Sequence, residues 1–294
     1  MKKFISKLCI AFVGGVIFIS FVWIYRILSS QSIVRDVYSL DQQTKIIFIG
    51  NSHTGKSWKE NAAYRNKVLW RSSECFLFSE MRLAELERRN QLGNIEVCVM
   101  NFDGPSMTFF NDDKICQDVL SEAPVAIHHL DIFPTSLIRL FVAALESANV
   151  SFCIQEQNPE PTKNWISRTN EEKSAHLKRV YECFPSDWSA TYYTKNWEEL
   201  LIGSVERVRA ICNRNGIRLI FFAAPLVKDN PELVDVKRYE KIDSMIQRVK
   251  NMGIEFYDLR RFCPDSQFMD SHHLHDEGAG ELTRHFLSTI LGLL

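Results

Sequence analysis

The feature that most constrains this chain is a rhythm: short, largely apolar runs alternate with longer segments of helical period. The runs are Ile46 to Ile49, Ile95 to Met100, Val125 to Ile132, Ile217 to Ala224 and Ile254 to Leu259. Runs of that length without polar alternation suit strands covered on both faces. Between them, Phe78 to Arg89, Asn111 to Glu122, Leu200 to Asn213, Tyr239 to Asn251 and Glu277 to Leu291 carry helical spacing. Strands alternating with helices predict an α/β chain whose mostly parallel, five-stranded sheet is covered on both faces. Ligands of such sheets collect at the carboxyl ends of the strands, so the residues just past each run matter most.

The N-terminus sets the expected compartment. Leu8 to Tyr25 is 18 residues without a charge, nearly enough for a helix to cross a bilayer core. Lys2, Lys3 and Lys7 precede it, and positive charge ahead of a first apolar segment favours keeping that end in the cytoplasm. The expectation is a single-pass transmembrane anchor over residues 1–28, a polar stalk over 29–44, and a periplasmic domain over 45–294 held at the cell membrane. A cleaved signal peptide is the competing reading, since Ser29 and Ser30 leave cleavage open, and it exports the domain equally well.

Residues 151–196 break the rhythm with Asn158-Pro159-Glu160-Pro161 and Phe184-Pro185. Such an insertion often serves as a lid or binding arm. Its Trp165, Trp188, Tyr192 and Tyr193 offer flat faces to sugar rings, although packing of the insertion itself is the favoured reading.

Composition narrows the partners. Lys plus Arg total 35 against 36 Asp plus Glu, which leaves no positive excess to hold a nucleic acid. Eight Cys with no C-x-x-C spacing are neither a metal array nor a disulfide framework, so most read as buried thiols, with one bridge left open.

Two motifs overlap at the first strand's end. Gly50-Asn51-Ser52-His53-Thr54-Gly55-Lys56-Ser57 fits the phosphate-loop pattern, in which backbone amides and Lys56 cradle phosphates and Ser57 holds magnesium. Against it, Trp58 to Asn61 gives a poor helical stripe, and nucleotide triphosphate is scarce outside the membrane. The same turn also presents Ser52 just past a buried strand, where a hydroxyl can reach substrate if a base activates it.

Near the C-terminus, Asp270-Ser271-His272-His273-Leu274 precedes the last helix. Asp270 lies three positions from His273, so its carboxylate can take one imidazole N–H and aim the other nitrogen at a serine. His272, His273, His275 and Asp270 also suit zinc chemically. Adjacent His272 and His273 point apart if the segment is extended, so no metal is assigned, and no cofactor is expected. His53 reads as a turn residue with a solvent-facing ring.

These two blocks resemble those of the SGNH (GDSL-like) hydrolases. Gly50-Asn51-Ser52-His53 looks like the first block, with Asn51 in place of the commoner Asp. Asp270-x-x-His273 looks like the last, and Asn101-Phe102-Asp103-Gly104 falls where the second-block glycine belongs. The resemblance implies a three-layer α/β/α, flavodoxin-like fold, Ser52 as nucleophile, His273 as base and Asp270 as its orienting acid.

It further implies an oxyanion hole from the Ser52 and Gly104 N–H groups, with Asn51 alongside. The third donor of the family, an asparagine, is missing where the chain reads Ile127-His128-His129, so either His128 or His129 substitutes or catalysis is weakened. The expected function is a serine esterase or O-acyltransferase acting on O-acyl, chiefly acetyl, groups of a cell-envelope glycan. The alternatives are a phosphate-loop nucleotide-binding protein and a catalytically idle glycan-binding or assembly protein of the same fold.

Overall fold

A computed structural model describes residues 38–72, 74–108, 112–133, 164–183 and 196–292, with eight scattered positions between 13 and 24. The chain divides into two compact units: Leu40–Asn111 with Asn158–Leu294, and Met1–Ser39 with Asp112–Gln157.

The larger unit opens with β1 (Ile46–Gly50), five fully buried residues, followed at once by the short helix α1 (Ser52–Ser57). Then come β2 (Asn66–Trp70), α2 (Phe76–Arg88), β3 (Val97–Asn101) and α3 (Gly104–Thr108). The smaller unit supplies α4 (Asp112–Ser121) and α5 (Ala123–Ala126). The larger resumes with α6 (Asn170–Cys183), α7 (Trp197–Arg214), β4 (Arg218–Ala223), α8 (Pro231–Val234), α9 (Val236–Asn251), β5 (Glu255–Asp258) and α10 (Asp276–His285).

All five strands pair in parallel in the order β2-β1-β3-β4-β5. β1, inside the sheet between β2 and β3, sets Phe48 beside Val68 of β2 and Val99 of β3. Successive side chains leave a strand on opposite faces, so each face has its own core. On one, Phe48, Val99, Ile220 and Phe222 meet Trp58, Leu282 and Phe286, with Trp58 stacked on Phe48 at 4.6 Å between ring centroids. On the other, Phe221 packs edge-on against Phe76 of α2 at 5.6 Å, and Phe102 stacks on it at the same distance. Burial on both sides is what the continuous apolar runs required.

One expected strand is replaced by another. Val125 to Ile132 is helical: Val125 and Ala126 end α5, the His128 and His129 N–H groups donate to the Val125 and Ala126 carbonyls, and Leu130–Ile132 forms a 3₁₀ turn. Pro124, in the first turn of α5, has φ fixed near helical values and lacks an N–H that the first turn could not use. The fifth strand is β2, at the sheet edge, where Trp70 remains exposed.

The described positions between 13 and 24 are helical, with Val13, Ile17, Phe18, Phe21 and Ile24 exposed. Among the described residues no helix is long and apolar enough to cross a membrane. The rest of the expected anchor, and the stalk up to residue 37, lie outside the described residues, as do Trp188, Tyr192 and Tyr193 of the insertion. Trp165 is buried in the core. Cys75, Cys98, Cys116, Cys212 and Cys263 are buried.

Candidate active site

The carboxyl end of β1 is tightly packed. A Cβ on Gly50 would lie 2.2 Å from Thr54 Oγ1 and 2.7 Å from Asn101 Cβ, so only glycine lets the chain turn directly from strand into helix here. Asn51 caps that helix: its side-chain oxygen accepts the His53 N–H at 2.9 Å. The cap engages only the side-chain oxygen; the Nδ2 amide, the group an oxyanion would need, takes no part in it.

Ser52, the first helical residue, is brought to the C-terminal block. The Ser52 hydroxyl donates to His273 Nε2 at 3.0 Å, and the His273 Nδ1–H donates to Asp270 Oδ2 at 2.8 Å. The other Asp270 oxygen accepts the backbone N–H groups of His272 and His273 at 2.9 and 2.8 Å. Burial alone would raise the Asp270 pKa, yet the neighbouring imidazoles and these hydrogen bonds outweigh it and hold the carboxyl well below its ordinary value. It is an anion locked in one orientation, which fixes the His273 tautomer with Nε2 as an acceptor facing the serine.

Parallel strands in this order, a serine at the end of β1 and an Asp-x-x-His turn ahead of the last helix match what the resemblance implies. The fold is a parallel five-stranded α/β sheet with Ser52 at the carboxyl end of β1. No family model and no curated protein matches the chain. Among solved structures, a GDSL-like lipase from Bacteroides thetaiotaomicron is similar over 91% of this chain and 100% of its own, at 13% identity and a TM-score of 0.45.

The residues around this centre differ from expectation in several ways. His53 is buried, its ring only 2% exposed, and its Nδ1–H donates to Asp103 Oδ2 at 2.8 Å. Asp103 also accepts from Asn101 Nδ2 at 2.8 Å and is tied into a turn with Ser106. Burial pushes the His53 ring toward its neutral form, but the Asp103 charge wins and raises its pKa above the ordinary value, while Asp103 is lowered. The solvent-facing reading of His53 failed because its partner lies 50 residues away in sequence.

Gly104 sits where expected, after β3, but a Cβ there would lie 2.4 Å from Glu232 Oε2, and the Gly104 N–H donates to that carboxylate. The amide expected to hold an oxyanion already has an acceptor. Burial, and then the charge of Asp103, push the Glu232 carboxyl up to about 7, against the pull of Arg260 and His53. His128 and His129 belong to the smaller unit and lie in helical turns rather than at a strand's end. The strand geometry that made one of them a candidate donor is absent.

His272 and His273 do not point apart. The segment turns at Asp270, and their ring centroids are 4.2 Å from each other. Ser271, fully buried, holds His272 Nδ1 and His176 Nε2, each at 2.9 Å from its hydroxyl oxygen. Burial, and then the unfavourable proximity of a second imidazole at His273, keep His272 far below its ordinary pKa, hence neutral. His176, on α6, carried no sequence signal because it lies inside the irregular insertion. His275 caps α10, its Nδ1 accepting the Gly278 N–H at 3.1 Å.

The phosphate-loop reading is overturned. Residues 51–55 would have to form a non-helical cradle of free amides, whereas α1 begins at Ser52 and ends at Ser57, which is buried. Gly55 lies flat against the Trp70 ring, 2.1 Å from where its Cβ would stand. No room is left there for phosphate.

Proposed function

We propose that this protein is a serine hydrolase of the esterase type, with Ser52 as nucleophile, His273 as general base and acid, and Asp270 as the residue that orients and supports His273. The observation that carries the reading is the unbroken Asp270–His273–Ser52 hydrogen-bond chain, at 2.8 and 3.0 Å.

In the first half-reaction, Ser52 Oγ attacks the ester carbonyl carbon while its proton passes to His273 Nε2. The tetrahedral oxyanion collapses, the acyl–oxygen bond breaks, and His273 returns the proton to the departing alkoxide. In the second, water or an acceptor hydroxyl attacks the acyl-serine, again giving its proton to His273, and Ser52 is regenerated. The Ser52 N–H, at a helix N-terminus where first-turn amides have no intrahelical acceptor, is the donor best placed for the oxyanion. With the Gly104 N–H held by Glu232, modest turnover is expected.

The substrate reading is an O-acetyl or similar O-acyl group on a cell-envelope glycan, with transfer to another hydroxyl as an alternative fate of the acyl-enzyme. Its support is the apolar Leu8 to Tyr25 segment behind three lysines, which favours an anchored, periplasmic placement beside lipid-linked or wall glycans.

The test is acetate release from p-nitrophenyl acetate and from a peracetylated chito-oligosaccharide by wild type and Ser52→Ala. Release from both that disappears in the variant supports the reading. Glycan binding without release by wild type would instead favour an idle binding protein.

A further inference from the structure

We infer that His53, His272 and His273 form a three-imidazole site for a zinc-class divalent cation, and that an ion bound there holds the Ser52 centre inactive. The proposed hydrolysis uses one imidazole–carboxylate pair, His273 with Asp270. It leaves unexplained a second buried pair, His53 with Asp103, and a third imidazole, His272, fixed by Ser271.

One nitrogen from each of the three rings lies within 4.8 Å of the others. Ring centroids are 5.2 Å apart for His53 and His272, 5.5 Å for His53 and His273, and 4.2 Å for His272 and His273. In every case Nδ1 is already engaged: with Asp103 at 2.8 Å, with Ser271 Oγ at 2.9 Å and with Asp270 at 2.8 Å. That is the outer-sphere pattern of metal-ligating histidines, in which an oxygen partner on one nitrogen orients the ring and leaves the other as ligand.

The neighbouring set His176, Asp270 and His272 is poorer, because His176 Nε2 bonds Ser271 and both Asp270 oxygens are occupied. Three imidazole nitrogen donors suit Zn²⁺ or Co²⁺ rather than Mg²⁺ or Ca²⁺, which prefer oxygen. Tetrahedral bonds of about 2.0–2.1 Å set donors about 3.4 Å apart, a closure that small ring rotations supply.

The consequence follows from Ser52, whose hydroxyl lies 3.0 Å from His273 Nε2. An ion bonded to that nitrogen occupies the lone pair that must accept the serine proton, so metal occupancy and nucleophile activation exclude each other. Cation binding rests on the three-histidine geometry alone; the inhibition rests also on the proposed function.

The experiment separates the two. EDTA-treated full-length protein is titrated with Co²⁺, following the intense visible bands of a tetrahedral nitrogen-ligated ion, and with Zn²⁺ by calorimetry. The expected result is one ion per chain, bound at least about tenfold more weakly by His53→Ala and His272→Gln and retained by Ser52→Ala. In wild type, Zn²⁺ should also raise the melting temperature, slow fluorophosphonate labelling of Ser52, and be reversed by EDTA.

If the His variants are unfolded by circular dichroism, pre-loading wild type with Zn²⁺ should still protect its histidines from diethyl pyrocarbonate. Absence of a saturable cobalt spectrum, or binding unchanged in both folded His variants, overturns the site. Tight binding that leaves labelling unaffected overturns the inhibition. If binding occurs but metal-free protein is not labelled at all, the esterase reading has failed and the inhibition with it, while the cation site stands.

Discussion

Replacing Asp270 by Asn interrogates the site with almost no change of shape. The carboxylate accepts three hydrogen bonds, from His273 Nδ1 at 2.8 Å and from the His272 and His273 backbone N–H groups at 2.9 and 2.8 Å. An asparagine oxygen can keep the two backbone bonds. Its amide nitrogen then faces His273 Nδ1 and donates to it, so the imidazole must carry its proton on Nε2, pointing at Ser52. The serine is left without an acceptor.

Inverting the tautomer in a Ser-His-Asp triad costs about 10⁴-fold in kcat, or about 5 kcal/mol of barrier. The substitution should therefore lower kcat for p-nitrophenyl acetate by about that factor with little change in KM. It should also remove a pH dependence of stability. Because the Asp270 pKa is lowered on folding, its contribution is present above the ordinary aspartate value and is lost as pH falls below it. Thermal melts across acid pH, run beside the kinetics, check both. A folded Asp270→Asn variant retaining activity within about tenfold of wild type would refute the proton-transfer role of this pair.

Three other outcomes are expected. Glu232→Gln should gain stability over wild type as pH rises: a raised carboxyl pKa favours the protonated folded form, so wild type loses stability between about 4.5 and about 7, by about 3 kcal/mol in all, readable by urea unfolding at pH 4 and pH 8. Trp58→Ala should cost about 3–5 kcal/mol in the same assay, since the ring is 1% exposed and wedged among Phe48, Phe222 and Phe286. Lys56→Ala should leave esterase kinetics intact, and neither it nor wild type should bind ATP in a calorimetric titration, because α1 offers no phosphate cradle.

β1, β3 and β4 were legible because both of their faces are largely buried, which makes them mostly apolar, and β5 because Ile254, Phe256, Tyr257 and Leu259 keep an apolar majority at the other edge. The edge strand β2 was not, since Arg65, Asn66 and Lys67 give its beginning the look of a loop and Trp70 is exposed at its end. The Val125 run was misread because periodicity cannot distinguish a short buried strand from a short buried helix, although Pro124 carried the helical signal.

At the site, Ser52, Asp270 and His273 were legible because two of the three lie on one turn and the third at a strand's end. The places of His53, His176 and Glu232 were not, because each is set by partners far away in the chain. Their partners are Asp103, Ser271 and the Gly104 amide respectively.

The central claim is that Ser52 is an activated nucleophile. Peptide mapping by mass spectrometry after brief exposure of metal-free protein to a fluorophosphonate reads this directly. A single adduct on the peptide carrying Ser52, gone in Ser52→Ala and greatly slowed in His273→Ala, is the expected result. An unlabelled protein, or an adduct on a different serine, would contradict the account.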